Sequence, residues 1–364
     1  MSEKVDIKSI AKRAGMSVGT VSMALNDNPL VKASTREKVR GLAAEMGYVQ
    51  NIIAQIVSTR HNRAVGIVLP NATPEFFGHA LYGLMRQFEK ADQHAFTVYG
   101  QDRPENELYY LRIFTQLRLR GLIMSPCPGS QAQPQIQRLI ENGTRVVFLD
   151  RTIPGLEADF VGINYAAAAR VAAGRLIAAG HRRIGAVVGA PLFSSTTERM
   201  EGVRRALNDA GIAFDKKLVL RLDYENDFNH DRTDAINHER LRSFLVEHGP
   251  TALFLAMDGN VPTLQKVCSE LGWRIPAHLN LVGFDEPLPH FSRKNDCIRV
   301  TCPIEEVGLL AGKTMIERFQ NPAAPSVRRR LDARVWPDAT CGPSASRRHP
   351  GGKNRPQSHY AHKP

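Results

Sequence analysis

Nine short runs rich in β-branched and aromatic residues recur between residues 65 and 284, and stretches of helical length separate them. They read VGIVL at 65–69, FTVY at 96–99, GLIM at 121–124, RVVFL at 145–149, DFVGI at 159–163, IGAVV at 184–188, KLVL at 217–220, ALFLA at 252–256 and NLVGF at 280–284. Strands that alternate with helices pair in parallel, because a parallel pair needs a crossover connection long enough to hold a helix. The pattern runs through five strands and then begins again, which predicts two similar sheets, each covered by helices on both faces. Ligands in open α/β sheets gather at the carboxyl ends of the strands. Two such sheets side by side therefore place a candidate site in a cleft between subdomains.

The motifs that would make this body an enzyme are missing. No GxxxxGK[ST] occurs, no GxGxxG follows the first strand, and the body holds no GxSxG. The 12 histidines are dispersed, and His79, His181, His230 and His290 lack metal-ligand spacing, so they read as surface or capping residues. Asp150 and Asp285 end strands, where a carboxylate without a neighbouring base or nucleophile serves as a ligand hydrogen-bond acceptor. Cys127, Cys268, Cys297, Cys302 and Cys341 are odd in number and scattered, which points to buried thiols rather than a disulfide framework or a zinc site. No cofactor or metal is expected. No run of about 18 apolar residues exists to span a membrane, and MSEKVDIK is not a secretory leader. A cytoplasmic protein is expected.

The first 60 residues read differently. Ile7, Ile10, Ala11 and Ala14 are spaced i, i+3, i+4, i+7 after Asp6, a helix N-cap residue, and Gly15 ends that helix. Ser17 caps a second helix that turns Val21, Ala24 and Leu25 inward and ends near Asn26. The small residues Ala11 and Ala14 permit the close approach of two helices joined by a short turn. Ser34-Thr35-Arg36-Glu37 reads as a capping box for a third helix, with Val39, Leu42, Ala43 and Met46 inward. The second helix is the predicted reader of a DNA major groove, presenting Val18, Gly19, Thr20, Ser22 and Met23 outward.

Charge agrees with that assignment. Residues 1–63 hold ten Lys and Arg against five Asp and Glu, and residues 342–364 hold five Lys and Arg with no acid. Of the net +12, only +2 falls on the body between them. A basic head on a near-neutral body is the footprint of a nucleic-acid-binding module joined to something else. The tail is rich in Gly, Pro and Ser with almost nothing apolar to bury, and is expected to be disordered.

IKSIAKRAGMSVGTVSMALN and VKASTREKVRGLAAEMGYVQN resemble the head of the lactose-repressor (LacI/GalR) family of bacterial transcription regulators. The resemblance implies a hinge helix after Tyr48, with Asn51, Ala54, Val57 and Arg60 entering or flanking the minor groove, and adds Ser17 and Asn26 to the DNA-reading set. Gln50 stands where the family has proline, Val57 where it wedges a leucine, and Met23 where it commonly has a polar reader. The shorter, β-branched Val57 would bury less surface between base pairs.

The body resembles the family's periplasmic-binding-protein-like sensor, which implies a small sugar-like or nucleobase-like effector. By position, PNATPEFFGH gives Phe76 and Phe77 an aromatic lining role, FLDR brings Asp150 and Arg151 to a strand end, and TTERMEG supplies Arg199 as the effector-gripping arginine. LDYEN contributes Tyr224, AMD contributes Asp258 beside Met257 where the family frequently has asparagine, and VGFDE contributes Asp285. IEEVGLLAGKTMIERF resembles the helix returning to the first subdomain.

The expected architecture is an all-α helix-turn-helix head over 1–49, a hinge helix or linker over 50–63, an α/β periplasmic-binding-protein-like sensor of two parallel-sheet subdomains over 64–341, and a tail over 342–364. Such a chain would act as a homodimeric repressor, because one short recognition helix covers too few base pairs of a pseudo-palindromic operator in double-stranded DNA. Two other classes remain: a solute-binding or signalling protein, which has no need of residues 5–60, and an α/β enzyme, which would turn over a candidate ligand.

Overall fold

The computed structural model describes residues 5–49, 63–70, 74–129, 131–190, 193–223, 230–256, 261–284 and 297–336. The chain divides into two compact units, Met1–Asn62 and Arg63–Pro364. The predicted hinge residues Asn51, Ala54, Val57 and Arg60, and the tail, lie outside the described residues.

In the first unit, α1 (Ile7–Ala14), α2 (Val18–Leu25) and α3 (Ala33–Glu45) share one small core of Ile10, Ala11, Ala14, Val21, Ala24, Val31, Val39 and Ala43. The side chain of Asp6 accepts the Ser9 amide, and Gly15 ends α1 in the left-handed conformation its φ of 67° requires. The expected capping box does not form. Helix α3 begins two residues earlier, with Lys32 at the N-cap and its carbonyl accepting from the Thr35 and Arg36 amides at 3.0 Å. Ser34 therefore lies inside the first turn, where its side chain cannot cap the helix.

The second unit holds two six-stranded sheets. The first is built from β1 (Ala64–Leu69), β2 (His94–Tyr99), β3 (Gly121–Met124), β4 (Arg145–Leu149), β5 (Asp159–Ile163) and β11 (Arg328–Leu331) in the order β11-β5-β4-β3-β1-β2, all parallel. The second takes β6 (Ile184–Ala190), β7 (Val219–Asp223), β8 (Ala252–Leu255), β9 (Asn280–Phe284), β10 (Ile298–Thr301) and β12 (Arg334–Trp336) in the order β12-β10-β9-β8-β6-β7. Only β12 is antiparallel to its neighbour. Crossovers are α4 (His79–Lys90), α5 (Pro104–Gln116), α6 (Gln133–Glu141), α7 (Tyr165–Ala178), α8 (Ser194–Asp209), α9 (His230–His248), α10 (Val261–Glu270) and α11 (Ile304–Gln320).

The chain enters the second subdomain through α7, returns through α11, which packs on α4, and leaves again between β11 and β12. Both helix pairs approach closely through glycine: a Cβ on Gly308 of α11 would stand 1.8 Å from the Ala80 carbonyl oxygen, and one on Gly202 of α8 would stand 2.3 Å from that of Ala166.

The sequence runs fall on these strands with one correction. Lys216–Leu218 forms a tight 3₁₀ turn in which the Asp215 side chain accepts the Lys217 amide, so the strand read at 217–220 begins at Val219 and extends to Asp223. Strands β10, β11 and β12 are additions. The sequence RRRL of β11 has no apolar run, because β11 lies at the sheet edge and its arginines bind Glu317, Glu198 and the Phe160 ring.

Candidate functional site

In the head, α2 separates a buried seam from an outward row. Val21 and Ala24 are fully buried, whereas Val18 and Met23 are 43% and 37% exposed and Gly19 is exposed. Thr20, Ser22 and Asn26 are half-buried. The Ser17 hydroxyl accepts the Thr20 amide at 3.0 Å and shares a 2.9 Å hydrogen bond with the Thr20 hydroxyl. One of those two hydroxyl protons is thereby committed, so the Ser17–Thr20 pair offers a partner one outward hydroxyl donor rather than two. The loop before α3 is fixed by Arg36, which donates to the carbonyls of Asn28 at 3.2 Å and Val31 at 3.1 Å, and by an ion pair between Arg40 and Asp27.

In the body, two clusters form at the carboxyl ends of strands. The first joins Asp150, Tyr165, Arg199 and Phe284. Asp150 follows β4 with a left-handed φ of 64°, and its buried carboxylate accepts the Tyr165 hydroxyl at 2.6 Å. Burial pushes its carboxyl above the usual aspartate range. Arg199 lies 4.2 Å from each of the Tyr165 and Phe284 ring centroids and donates to the Ala256 carbonyl at 2.8 Å.

The second cluster is made around Arg151, whose side chain is 9% exposed and pairs with Asp102. Its guanidinium stacks 3.6 Å from the Phe193 ring and 5.6 Å from Phe77. The next amide, Thr152 N–H, donates to the Ser194 hydroxyl at 2.9 Å. Residues 151–152 of the first subdomain thus grip residues 193–194 at the head of α8 in the second. Phe77 is buried and Phe76 half-buried, their rings packed edge to face at 5.0 Å. Tyr224, Asp258 and Asp285 lie outside the described residues.

Sequence reasoning did not find Asp102, Ser125, Tyr165, Phe193 or Phe284. Ser125 directly follows β3 at 2% exposure with an Oγ that has no hydrogen-bond partner. A strand-end position was the signal available for Ser125 and Phe284, whereas nothing in the sequence marks Tyr165 or Phe193. The surface reading of His181 is corrected: it is 1% exposed, its Nδ1 sits 2.9 Å from the Thr251 hydroxyl, and burial lowers its pKa. His79 is exposed as expected, while the side chains of His230 and His290 lie outside the described residues. Cys127, Cys268, Cys297 and Cys302 are buried, and Cys341 lies outside the described residues.

Glu107, in the first turn of α5, is buried beside this second cluster and accepts the Cys127 amide at 2.8 Å. Burial raises its carboxyl above the ordinary 4.5 and pushes the Cys127 thiol up as well, so that thiol is no nucleophile at neutral pH. An acid with a raised folded pKa holds its proton more tightly in the native state, so stability falls as pH rises from the ordinary carboxylate value through the folded one. Glu107→Gln keeps an oxygen for the Cys127 amide and removes the titration. In urea unfolding across a pH series, the variant should gain on the wild type as pH climbs above 4.5 and then hold a constant lead. A difference that ignores pH would show that the Glu107 carboxyl is unperturbed.

An open cavity of about 300 Å³ lies elsewhere, at the amino ends of β4 and β5, lined by Arg145, Asp159, Arg318 and Pro325 among others. Its buried charges already satisfy each other, with Arg318 donating to Asp159 at 2.6 and 2.8 Å.

Residues 6–51 match the profile of bacterial regulatory proteins of the lacI family, and residues 173–341 match that of the periplasmic binding protein-like domain. The chain is 27% identical over 338 residues to the HTH-type transcriptional regulator CelR of Thermobifida fusca, covering 90% of this chain and 96% of that one. It is 26% identical over 317 residues to the ribose operon repressor of Haemophilus influenzae, covering 87% and 92%. Among solved structures, the lac repressor dimer bound to operator and the anti-inducer ONPF superposes with a TM-score of 0.72 at 19% identity, covering 92% of this chain and 98% of that one.

Proposed function

The chain belongs to the LacI family of bacterial regulatory proteins, and from that premise we propose how its two units divide the work of a transcriptional repressor. The family is one of regulators, not enzymes. Residues 1–49 read operator DNA, 50–63 form the hinge, 64–341 sense an effector and dimerise, and 342–364 form a basic tail. The observation that carries the reading is α2, where one short helix buries Val21 and Ala24 while turning Val18, Gly19 and Met23 to the outside, with Thr20 and Ser22 half-buried beside them. With only the Ser17–Thr20 pair and Ser22 as hydroxyl donors on that face, apolar contact from Val18 and Met23 to thymine methyl groups contributes much of the base readout. Asn26 and the hinge residues Asn51, Ala54, Val57 and Arg60 complete the set.

The effector binds at the carboxyl ends of the two sheets, among Phe76, Phe77, Asp150, Arg151, Arg199, Tyr224, Asp258 and Asp285. An aromatic face, a carboxylate and a guanidinium suit a small polyhydroxylated or heterocyclic molecule. The ribose operon repressor and the lac repressor dimer on its operator support a sugar-like effector and a homodimer for this chain. Tyr82 and Met85 on α4, 59% and 39% exposed, give that dimer an apolar surface. Effector binding shifts the closure of the two subdomains, and by reciprocity operator DNA changes effector affinity by the same factor. No helix among the described residues is long and apolar enough to cross a membrane, and a repressor of chromosomal genes works in the cytoplasm.

The test is a salt titration of the full chain on genomic fragments that it selects. Log affinity should fall linearly with log salt, by about 0.9 for each phosphate neutralised. A flat line would sink the DNA-reading assignment.

A further inference from the structure

Tyr165 is the first residue of α7, the helix by which the chain passes from the first sheet to the second, and it is 1% exposed. Its two ends do different things. The hydroxyl donates to the Asp150 carboxylate at 2.6 Å, on the first sheet's side. The ring faces the Arg199 guanidinium at 4.2 Å, on the second sheet's side, and meets the Phe284 ring edge to face at 5.8 Å. Phe284 covers the same guanidinium at the same distance, so Arg199 is held by two rings and the Ala256 carbonyl. Alanine fills the next four positions of α7 after Tyr165, so no neighbouring side chain in that turn could replace either contact.

We propose that Tyr165 is a positioning residue which ties the acid of the first subdomain to the arginine of the second, so that one side chain at the crossover sets the placement of both. A stacked cation keeps its N–H groups in the plane of the fork while its faces are covered, which leaves direction as the variable the ring controls. The inference rests on the effector reading of Asp150 and Arg199, because those are the groups it positions.

The test needs no effector. In the full chain labelled with ¹⁵N-arginine, the Arg199 Nε–H resonance, assigned through Arg199→Lys, should be displaced by the two rings. It should also move with pH as Asp150 ionises, and Asp150→Asn should abolish that movement. Tyr165→Phe retains the ring and removes the donor that favours the charged carboxylate. It should keep the ring displacement and move the titration to higher pH. Tyr165→Leu should lose the displacement due to one ring. An unchanged titration in Tyr165→Phe, or an unchanged resonance in Tyr165→Leu, would overturn the tie. Either failure leaves the effector reading standing, and that reading is tested apart by adding D-ribose or adenine to the wild-type chain and following the same resonance.

Discussion

Val21→Asp is expected to abolish DNA binding while the body keeps its own heat-unfolding transition. Val21 is fully buried in a core of eight residues shared by three short helices. A domain of this size buries a smaller fraction of its chain's surface than a larger one does and stands near the limit of independent stability. Burying an unpaired carboxylate costs several kcal/mol even after relaxation, which exceeds what so small a core supplies. The head therefore unfolds, and α2 loses the seam that orients its outward row. The body, a separate unit with its own apolar clusters, has no contact to lose from this change within its core. Fragment retention together with calorimetry reads both outcomes at once. Retained DNA affinity would mean that the reading face does not depend on this core.

Arg318→Ala should cost about 3–5 kcal/mol, the range for removing one partner of a buried ion pair. Arg318 and Asp159 have side chains 10% and 2% exposed. The arginine donates twice to Asp159 and also to the Ala324 and Pro325 carbonyls, while Asp159 accepts the Val327 amide at 2.8 Å. One guanidinium thus fastens the end of α11 and the entry to β11 onto β5, the strand nearest the crossover into α7. Truncation leaves the Asp159 carboxylate buried and short of donors. Urea unfolding of the body reads the loss. An Asp159→Asn change made on the Arg318→Ala background should recover part of the stability, because it removes the stranded charge. A loss within about 0.5 kcal/mol, as at an ordinary surface site, would show that solvent screens this pair.

The strands were readable because parallel strands covered on both faces are apolar at nearly every position, as all six residues of β1 are. Strand β11 was not, because its arginines become compatible with a sheet only once Glu317, Glu198 and Phe160 are alongside. Helices α1 and α2 were readable through local chemistry, with Asp6, Gly15 and Ser17 acting within three or four residues of themselves. The same local logic failed at Ser34, where the Lys32 carbonyl opened the helix two residues sooner.

The candidate effector residues divide in the same way. Asp150 was visible as a carboxylate at the end of an apolar run, and family position marked Arg199. Their surroundings were not visible: Arg151 is tied to Asp102 and to Phe193, residues 49 and 42 positions away, and Tyr165 reaches both Asp150 and Arg199. The sequence by itself determined where the helix proposed to read DNA lies and that two sheets of parallel strands follow it, since both depend on periodicity and short-range capping. Tertiary structure alone decided which charges are paired, which faces of each guanidinium are covered, and that Gly308 admits no side chain against Ala80. Those outcomes depend on distances between segments far apart in the chain, and no local pattern of residues encodes them.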